Sequence, residues 1–232
     1  FQNCLQENNI DPKDVIFVAH STTQATNALI EGDVAKVGVV GVGPKGIGGV
    51  IAKAQTNMKD INLGSGRFIR LKNRYICDEK LSDQAVTDTI KSLVGEGAEV
   101  IVASESFGVD DMENETGICK IAKDMGLEAT AASEITKLYG LTRRTRTAAI
   151  NASILPKMLN TANSTEQSVK SAGVEVPLMI MRGDGGVMEI SEMKKRPVLT
   201  MLSGPAASVM GSLMYLRASN GVYFEVGGTT TN

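Results

Sequence analysis

The sequence predicts an α/β protein of layered, mostly parallel strands joined by right-handed crossovers, on three observations. Short apolar runs recur at residues 15–19, 36–41, 100–103, 127–131 and 178–181. Stripes of apolar residues at helical spacing alternate with them, and Gly, Pro, Ser and Asn punctuate the joins. Repeated strand–helix alternation is the pattern of a parallel sheet covered by helices, because each crossover must carry the chain back to the same end of the sheet.

The run 15–19 follows polar sequence around Asp11-Pro12 and reads as a buried strand. His20-Ser21-Thr22-Thr23 comes next, and its hydroxyls suit the start of a helix whose apolar positions are Ala25, Ala28 and Leu29. Such a loop lies beyond the C-terminal end of a strand, where α/β proteins usually bind ligands. A capped turn with a structural histidine is the alternative.

After the strand at 36–41, Gly41-Val42-Gly43-Pro44-Lys45-Gly46 formally matches the dinucleotide fingerprint G-x-G-x-x-G. That fingerprint needs a firm helix start and an acidic residue ending a second strand about 20 residues on. Asp60 has the spacing without the strand, and Gly48-Gly49 weaken the helix start, so a structural glycine loop is the preferred reading.

Residues 56–80 read as a polar, irregular surface excursion turning at Gly64-Ser65-Gly66. Ser82 then caps a helix that turns Val86, Ile90, Leu93 and Val94 inward and stops at Gly95 and Gly97. Ile118, Ile121, Ala122 and Met125 form the stripe of the next helix. A long helix begins near Arg143, with Ala149, Ile150, Ser153 and Ile154 inward and Pro156 as a candidate kink. Arg143, Arg144 and Arg146 sit where the helix dipole disfavours cations, so either a neighbouring acidic cluster offsets them or they form a solvated face.

The last stretch carries most of the functional signal. A strand at 178–181 breaks into Gly183-Asp184-Gly185-Gly186, and Ser203-Gly204-Pro205 opens a helix with Pro at its first position. Ala206, Ala207, Met210, Leu213 and Met214 share one face of that helix, which Asn220-Gly221 stops. A strand at 222–226 then runs into Gly227-Gly228-Thr229-Thr230-Thr231. Paired glycines let backbone N–H groups approach an anion and threonine hydroxyls add donors, so this is a candidate phosphate turn, or an ordinary hairpin turn. Asp184 could orient magnesium or a water, or could bond its own backbone as a turn former.

Composition excludes several function classes. A net charge of −2, from 24 Lys and Arg against 26 Asp and Glu, offers no broad basic surface for nucleic acid or anionic lipid. No run approaches the roughly 20 apolar residues of a membrane span. Cys4, Cys77 and Cys119 are odd in number and show no C-x-x-C pair, which argues against a disulfide framework or zinc cluster and makes a reducing cytoplasm the expected location. Small-molecule chemistry is the class left. The absence of an initiator Met and the stop inside the final turn suggest a piece of a longer protein.

In order, GDGG, RPVLTMLSGPAASVMGS and EVGGTTT resemble the SDGG, PV..SGPA..V.GA and D.GGTSTD of the hydantoinase and 5-oxoprolinase family, of the hydantoinase A type. HSTTQATNALIEG resembles its HGTTVATNALLER, with Ser21 in place of Gly. Arg144, Thr147, Asn151 and Ala152 match ER..T...NA, while Met112-Glu113-Asn114-Glu115 stands where the family has Pro-x-His-Glu.

The resemblance implies an incomplete actin-like, ribonuclease-H-like ATPase fold, divided into residues 1–140 and a connecting helix with the start of a second half at 141–232. It implies ATP and Mg²⁺ held between two phosphate turns, the first upstream of this segment. The second would consist of Gly227, Gly228, Thr229 and Thr230 with Ser203 and Gly204. His20, Thr22, Thr23 and Asp184 become catalytic candidates, Asp184 and Glu225 metal candidates, and Arg144 and Asn151 further site residues. Glu225 and Asn232 replace family aspartates. The implied activity is ATP-dependent opening of cyclic amides or imides of the hydantoin or 5-oxoproline type by phosphate-activated C–N cleavage. A ketone carboxylase subunit or a non-catalytic nucleotide-binding module are the alternatives. A hydantoinase B-type subunit or domain and homo-oligomerisation are the implied partners, and the segment alone is expected to be inactive.

Overall fold

The computed structural model describes residues 2–217 and 220–226. In chain order its first elements are α1 (Gln2–Glu7), β1 (Val18–His20), α2 (Gln24–Glu31), β2 (Val37–Gly43), α3 (Gly46–Thr56), β3 (Ile61–Gly64), β4 (Arg67–Ile69), β5 (Leu71–Cys77) and α4 (Asp83–Gly95). The remainder are β6 (Val100–Glu105), α5 (Glu113–Asp124), β7 (Glu128–Ala131), α6 (Ala132–Ile135), α7 (Leu141–Ser171), β8 (Leu178–Met181), β9 (Val187–Glu189), α8 (Ile190–Met193) and α9 (Ser203–Leu216). Two compact units divide them, Phe1–Asn27 with Lys157–Asn232, and Ala28–Pro156. The expected boundary after residue 140 coincides with the start of α7, whereas the units part at Pro156, whose ring nitrogen can donate no helical hydrogen bond.

The unit Ala28–Pro156 is built on a four-stranded parallel sheet in the order β5-β2-β6-β7. Every residue of the central strand β2 is buried, as expected of a strand covered on both faces. Alternation along β2 sends Val40 and Val42 to one face, where they join Ile90 and Leu93 of α4 and Ile118 and Ala122 of α5. Gly41 and Gly43 point to the other face. A Cβ on Gly41 would stand 2.3 Å from Thr56 Oγ1, and one on Gly43 would stand 2.6 Å from Ser106 Oγ. The G-x-G pattern therefore lets α3 lie directly on the sheet, which is the structural reading. Asp60 serves the same local architecture, accepting from Leu71 N at 2.8 Å and from Arg70 Nη1 at 2.7 Å.

Most expected elements form, with instructive differences. Ser82 caps α4 by accepting from Ala85 N at 3.2 Å, and Val86, Ile90 and Leu93 are buried while Val94 is exposed. The stretch 56–80, expected to be irregular, contains the β3–β4 hairpin and the edge strand β5. Its polar residues misled because an edge strand carries Lys72 and Arg74 at its solvent side while Leu71 and Ile76 are buried.

In the other unit, β1 pairs in parallel with β8, Val18 opposite Leu178 and His20 opposite Ile180, and β9 returns antiparallel to β8. The expected strand 15–19 is shorter and shifted, and Ile16 and Phe17 are exposed. Helix α9 begins at Ser203, so Pro205 is its third residue, and Ser203 alone of its residues is buried. The face expected inward, Ala206 to Met214, is half-buried or exposed among the described residues. Residues 222–225 are not a strand, and Val226 forms only an isolated bridge. Among the described residues no helix is long and apolar enough to cross a membrane.

Gly49 tests the close packing of α3. Replacing a helical Gly by Ala ordinarily stabilises by about 1 kcal/mol, but here a Cβ would sit 1.9 Å from the Pro44 carbonyl oxygen. Overpacking of this kind costs about 1–3 kcal/mol, so Gly49→Ala is expected to lower the urea midpoint without changing the slope of the transition.

Candidate functional site

The parallel pairing of β1 with β8 delivers two loops to one carboxyl edge. His20 closes β1 and is half-buried; Ser21, Thr22 and Thr23 follow it into α2. Arg182 to Gly186 follow β8 and turn tightly into β9, with Arg182 N donating to Gly186 O at 2.8 Å. The N-terminus of α9 meets the first loop. The fully buried Ser203 Oγ donates to Thr22 O at 3.0 Å, and Ser21 Oγ lies 3.3 Å from Ser203 Oγ. Since the Ser203 proton is committed to the carbonyl, Ser21 is the donor of that second bond.

Further contacts fix this elbow. Leu202 N donates to Thr26 Oγ1 at 3.1 Å, and a Cβ on Gly204 would reach 3.4 Å from Thr23 Cγ2. Thr22 Oγ1 accepts from Gln24 N at 3.2 Å, a side-chain turn that leads into α2 and leaves the hydroxyl's own proton to donate. Ser21, standing for the family's Gly, takes no left-handed conformation, so its side chain is accommodated without strain. Leu202 does, at φ 58°, directly before the helix. A strained residue of this sort costs about 1–3 kcal/mol and persists only where its surroundings hold it. The first-turn N–H groups of Ser203 and Gly204 have no intrahelical acceptor, which with the hydroxyls of Thr22 and Thr23 makes a donor-rich corner suited to an anion.

Asp184 lies in the second loop, beside a depression of about 350 Å³ bordered by Gly183, Leu202 and the first turns of α9. Its Oδ1 accepts from Gly186 N at 3.0 Å and its Oδ2 pairs with Arg182 Nη2 at 2.5 Å. Both oxygens are therefore engaged in shaping the turn. Gly183 is compelled by close approach, since a Cβ there would lie 2.0 Å from Met201 O. Glu225 Oε1 accepts from Ser208 Oγ at 3.2 Å. Among the described residues no group of three or more His, Cys, Asp or Glu could hold a metal. Gly227, Gly228, Thr229, Thr230 and Asn232 lie outside the described residues.

Arg144 and Asn151 belong to the unit Ala28–Pro156. Asn151 Nδ2 is buried and 3.4 Å from Thr130 Oγ1. Arg144 is fully buried, donating through Nη1 to Leu138 O at 2.8 Å and Tyr139 O at 3.4 Å, and through Nη2 to Glu105 O. Its counter-charge is Glu115, also fully buried, which accepts from Glu105 N at 2.9 Å, Ser133 N at 2.7 Å and Ser133 Oγ at 3.1 Å. Glu115 stands at the Glu of the family's Pro-x-His-Glu, but sequence reasoning gave it no role of its own. Its position three residues before Ile118 places it on the buried stripe of α5, and an acid on such a stripe was the available signal. Asn114, where the family has His, donates to Glu105 Oε1 at 2.8 Å.

These features define an α/β protein in which two loops lie at the carboxyl edge of a parallel strand pair, the edge at which α/β proteins usually bind ligands. The chain belongs to the hydantoinase/oxoprolinase family: residues 1–126 match the family's N-terminal region and residues 144–232 match the hydantoinase/oxoprolinase model itself. A protein of Methanocaldococcus jannaschii, MJ0964, is 24% identical over 178 residues, which is 70% of this chain and 26% of that protein. The Schizosaccharomyces pombe protein C11D3.14c is 27% identical over 177 residues, covering 72% of this chain and 13% of its own length. The chain thus spans about a quarter and about an eighth of these relatives. Among solved structures, a nucleotide-free acetone carboxylase aligns at TM-score 0.67 and 18% identity, over 92% of this chain and 34% of that one. The ATP-dependent caprolactamase of Pseudomonas jessenii aligns at TM-score 0.66 and 19% identity, over 95% and 35%.

Glu105 supplies a pH test. Burial pushes its carboxyl above the ordinary glutamate value, and the nearby carboxylates of Glu115, Asp111 and Asp78 push the same way against the Asn114 hydrogen bond. An acid whose folded pKa is raised binds its proton more tightly in the folded state. Its contribution is complete below the unfolded value and is lost as pH rises through the folded one. Relative to Glu105→Gln, the parent chain is expected to gain stability on acidification across that window, read by denaturant titration at a series of pH values.

Proposed function

We propose that the chain is part of an ATP-dependent hydrolase that opens cyclic amides or imides of the hydantoin or 5-oxoproline type. The observation that carries this reading is the elbow in which Ser203 ties the N-terminus of α9 to the loop after β1. When bound, ATP supplies a phosphoryl group that makes a poorly electrophilic amide carbon open to attack. Toward that chemistry the N–H groups of Ser203 and Gly204 and the hydroxyls of Thr22 and Thr23 hold negative charge. Such preorganised donors stabilise a transition state because they need no reorientation as charge develops. Asp184 with Arg182 holds the second loop in shape, a positioning role. Family membership and the fold shared with a caprolactamase support this reading. Likeness to acetone carboxylase supports a second one, ATP-dependent carboxylation of a ketone.

The test is ADP release by the intact polypeptide with cyclic amides, and separately with a ketone and bicarbonate. Stimulation by cyclic amides is expected, with Thr23→Val lowering kcat by about tenfold or more, as for loss of one charge-stabilising donor. Asp184→Asn keeps the Oδ1 acceptor and forfeits only an exposed ion pair, so it is expected to retain most of the rate. Stimulation only by ketone and bicarbonate selects the second reading, and no nucleotide turnover with any of them overturns both.

A further inference from the structure

The hydroxyl of Ser21 makes a contact that the glycine of the family pattern HGTT has no side chain to make. Ser203 is fully buried, and the one proton of its hydroxyl goes to Thr22 O at 3.0 Å. Ser21 Oγ, 3.3 Å away, gives its own proton to the Ser203 oxygen, so a short run of hydrogen bonds leads from the loop after β1 to the first residue of α9 and back to the loop. A glycine at residue 21 would leave that buried oxygen without this donor. Residue 21 makes no use of the backbone freedom that glycine offers, since its φ is not positive. What this position contributes is therefore its side chain.

The contact falls where the elbow carries strain. Leu202, directly before α9, is held at φ 58°, a conformation that persists only while its surroundings oppose relaxation. Three bonds across the junction oppose it: Ser203 Oγ to Thr22 O, Ser21 Oγ to Ser203 Oγ, and Leu202 N to Thr26 Oγ1 at 3.1 Å. The donors of the anion corner come from both sides of that junction, the hydroxyls of Thr22 and Thr23 from the loop and the N–H groups of Ser203 and Gly204 from α9. They converge only while the junction is closed. We propose that Ser21 is a positioning residue, whose hydroxyl latches the N-terminus of α9 onto the loop after β1 before any ligand binds and so keeps both sets of donors aligned. The role rests on the reading of this corner as the place where negative charge is held during the ATP-dependent reaction. Ser21 acts through Ser203 and not on the reacting atoms.

The experiment compares the parent, Ser21→Gly, Ser21→Ala and Ser21→Thr in the intact polypeptide by two readouts. The first is amide hydrogen exchange without nucleotide, followed at Leu202, whose N–H is bonded across the junction, and at the amides that pair β1 with β8. Ser21→Gly and Ser21→Ala are expected to speed exchange at Leu202 about fivefold, as for loss of one hydrogen bond, and to leave the strand amides unchanged. Ser21→Thr keeps the hydroxyl and is expected to recover the parent rate. The second readout is ADP release with whichever substrate stimulates the parent. There Ser21→Ala is expected to lower kcat about fivefold while KM changes by less than about twofold, because lost alignment weakens the transition state more than ground-state binding. Unchanged exchange at Leu202, an equal rise at the strand amides, an effect of Ser21→Gly that Ser21→Ala does not share, or an unchanged kcat in Ser21→Ala would overturn the proposal. Absence of turnover in the parent overturns the reading of the corner and with it the positioning role, whereas the exchange rates still decide whether the latch exists.

Discussion

Two buried charged residues organise the unit Ala28–Pro156. The Glu115 carboxylate and the Arg144 guanidinium, both without solvent contact, lie at the carboxyl end of β6 and tie together the segments that leave the strands there. Glu115 takes N–H groups from Glu105, which ends β6, and from Ser133, after β7, while Arg144 donates to carbonyls of Glu105, Leu138 and Tyr139. Taking two charges out of water is expensive, and the arrangement holds because nearly every polar atom has found a partner. Arg144 Nε is a buried exception. Burial pushes the Glu115 carboxyl up and the Arg144 guanidinium down, and each charge opposes the shift of the other. Removing either would leave the groups bonded to it unpaired in the interior, a loss of about 1–3 kcal/mol. That is more than any exposed ion pair here can contribute.

The same network gives the three arginines of α7 different roles. Arg144 offsets the unfavourable helix-dipole position with carbonyl oxygens and a buried acid. Arg143 and Arg146 remain exposed in the solvent layer. Ser104 and Thr145, bonded at 2.7 Å beneath them, fix α7 over β6 through a buried hydroxyl pair, so the helix has one rotational setting on the sheet. A fixed setting of α7 and a fixed, close-packed α3 are what give the outer face of this unit a defined shape.

In the other unit the constraint is the parallel register of β1 on β8. It sets the loop after His20 and the loop after Met181 at the same end, and neither loop is held by its own sequence alone. The first loop is fixed by Ser203 and by Leu202 N on Thr26, the second by Gly183 N on Leu199 O at 2.8 Å. Both sets of bonds come from residues well outside the loops they hold, so the corner exists only in the folded unit.

The sequence by itself determined the α/β class, most helix and strand positions and the family, because these depend on local periodicity and on short motifs kept in order. The apolar run at 36–41 read as a strand, which the structure extends to Gly43, and Ser82 read as the cap of α4. Tertiary structure decided what local reading could not. It made β5 a strand by pairing a polar segment with the edge of β2, and it turned the G-x-G pattern into a packing device because α3 approaches within reach of Gly41 and Gly43. It committed the Asp184 carboxylate to Arg182 and Gly186, and it joined Ser21 to Ser203 across 182 residues. It also revealed Glu115, whose importance lies in the donors that converge on it. Periodicity reports which face of an element is buried, whereas the identity of what it is buried against is set by chain segments far apart in sequence.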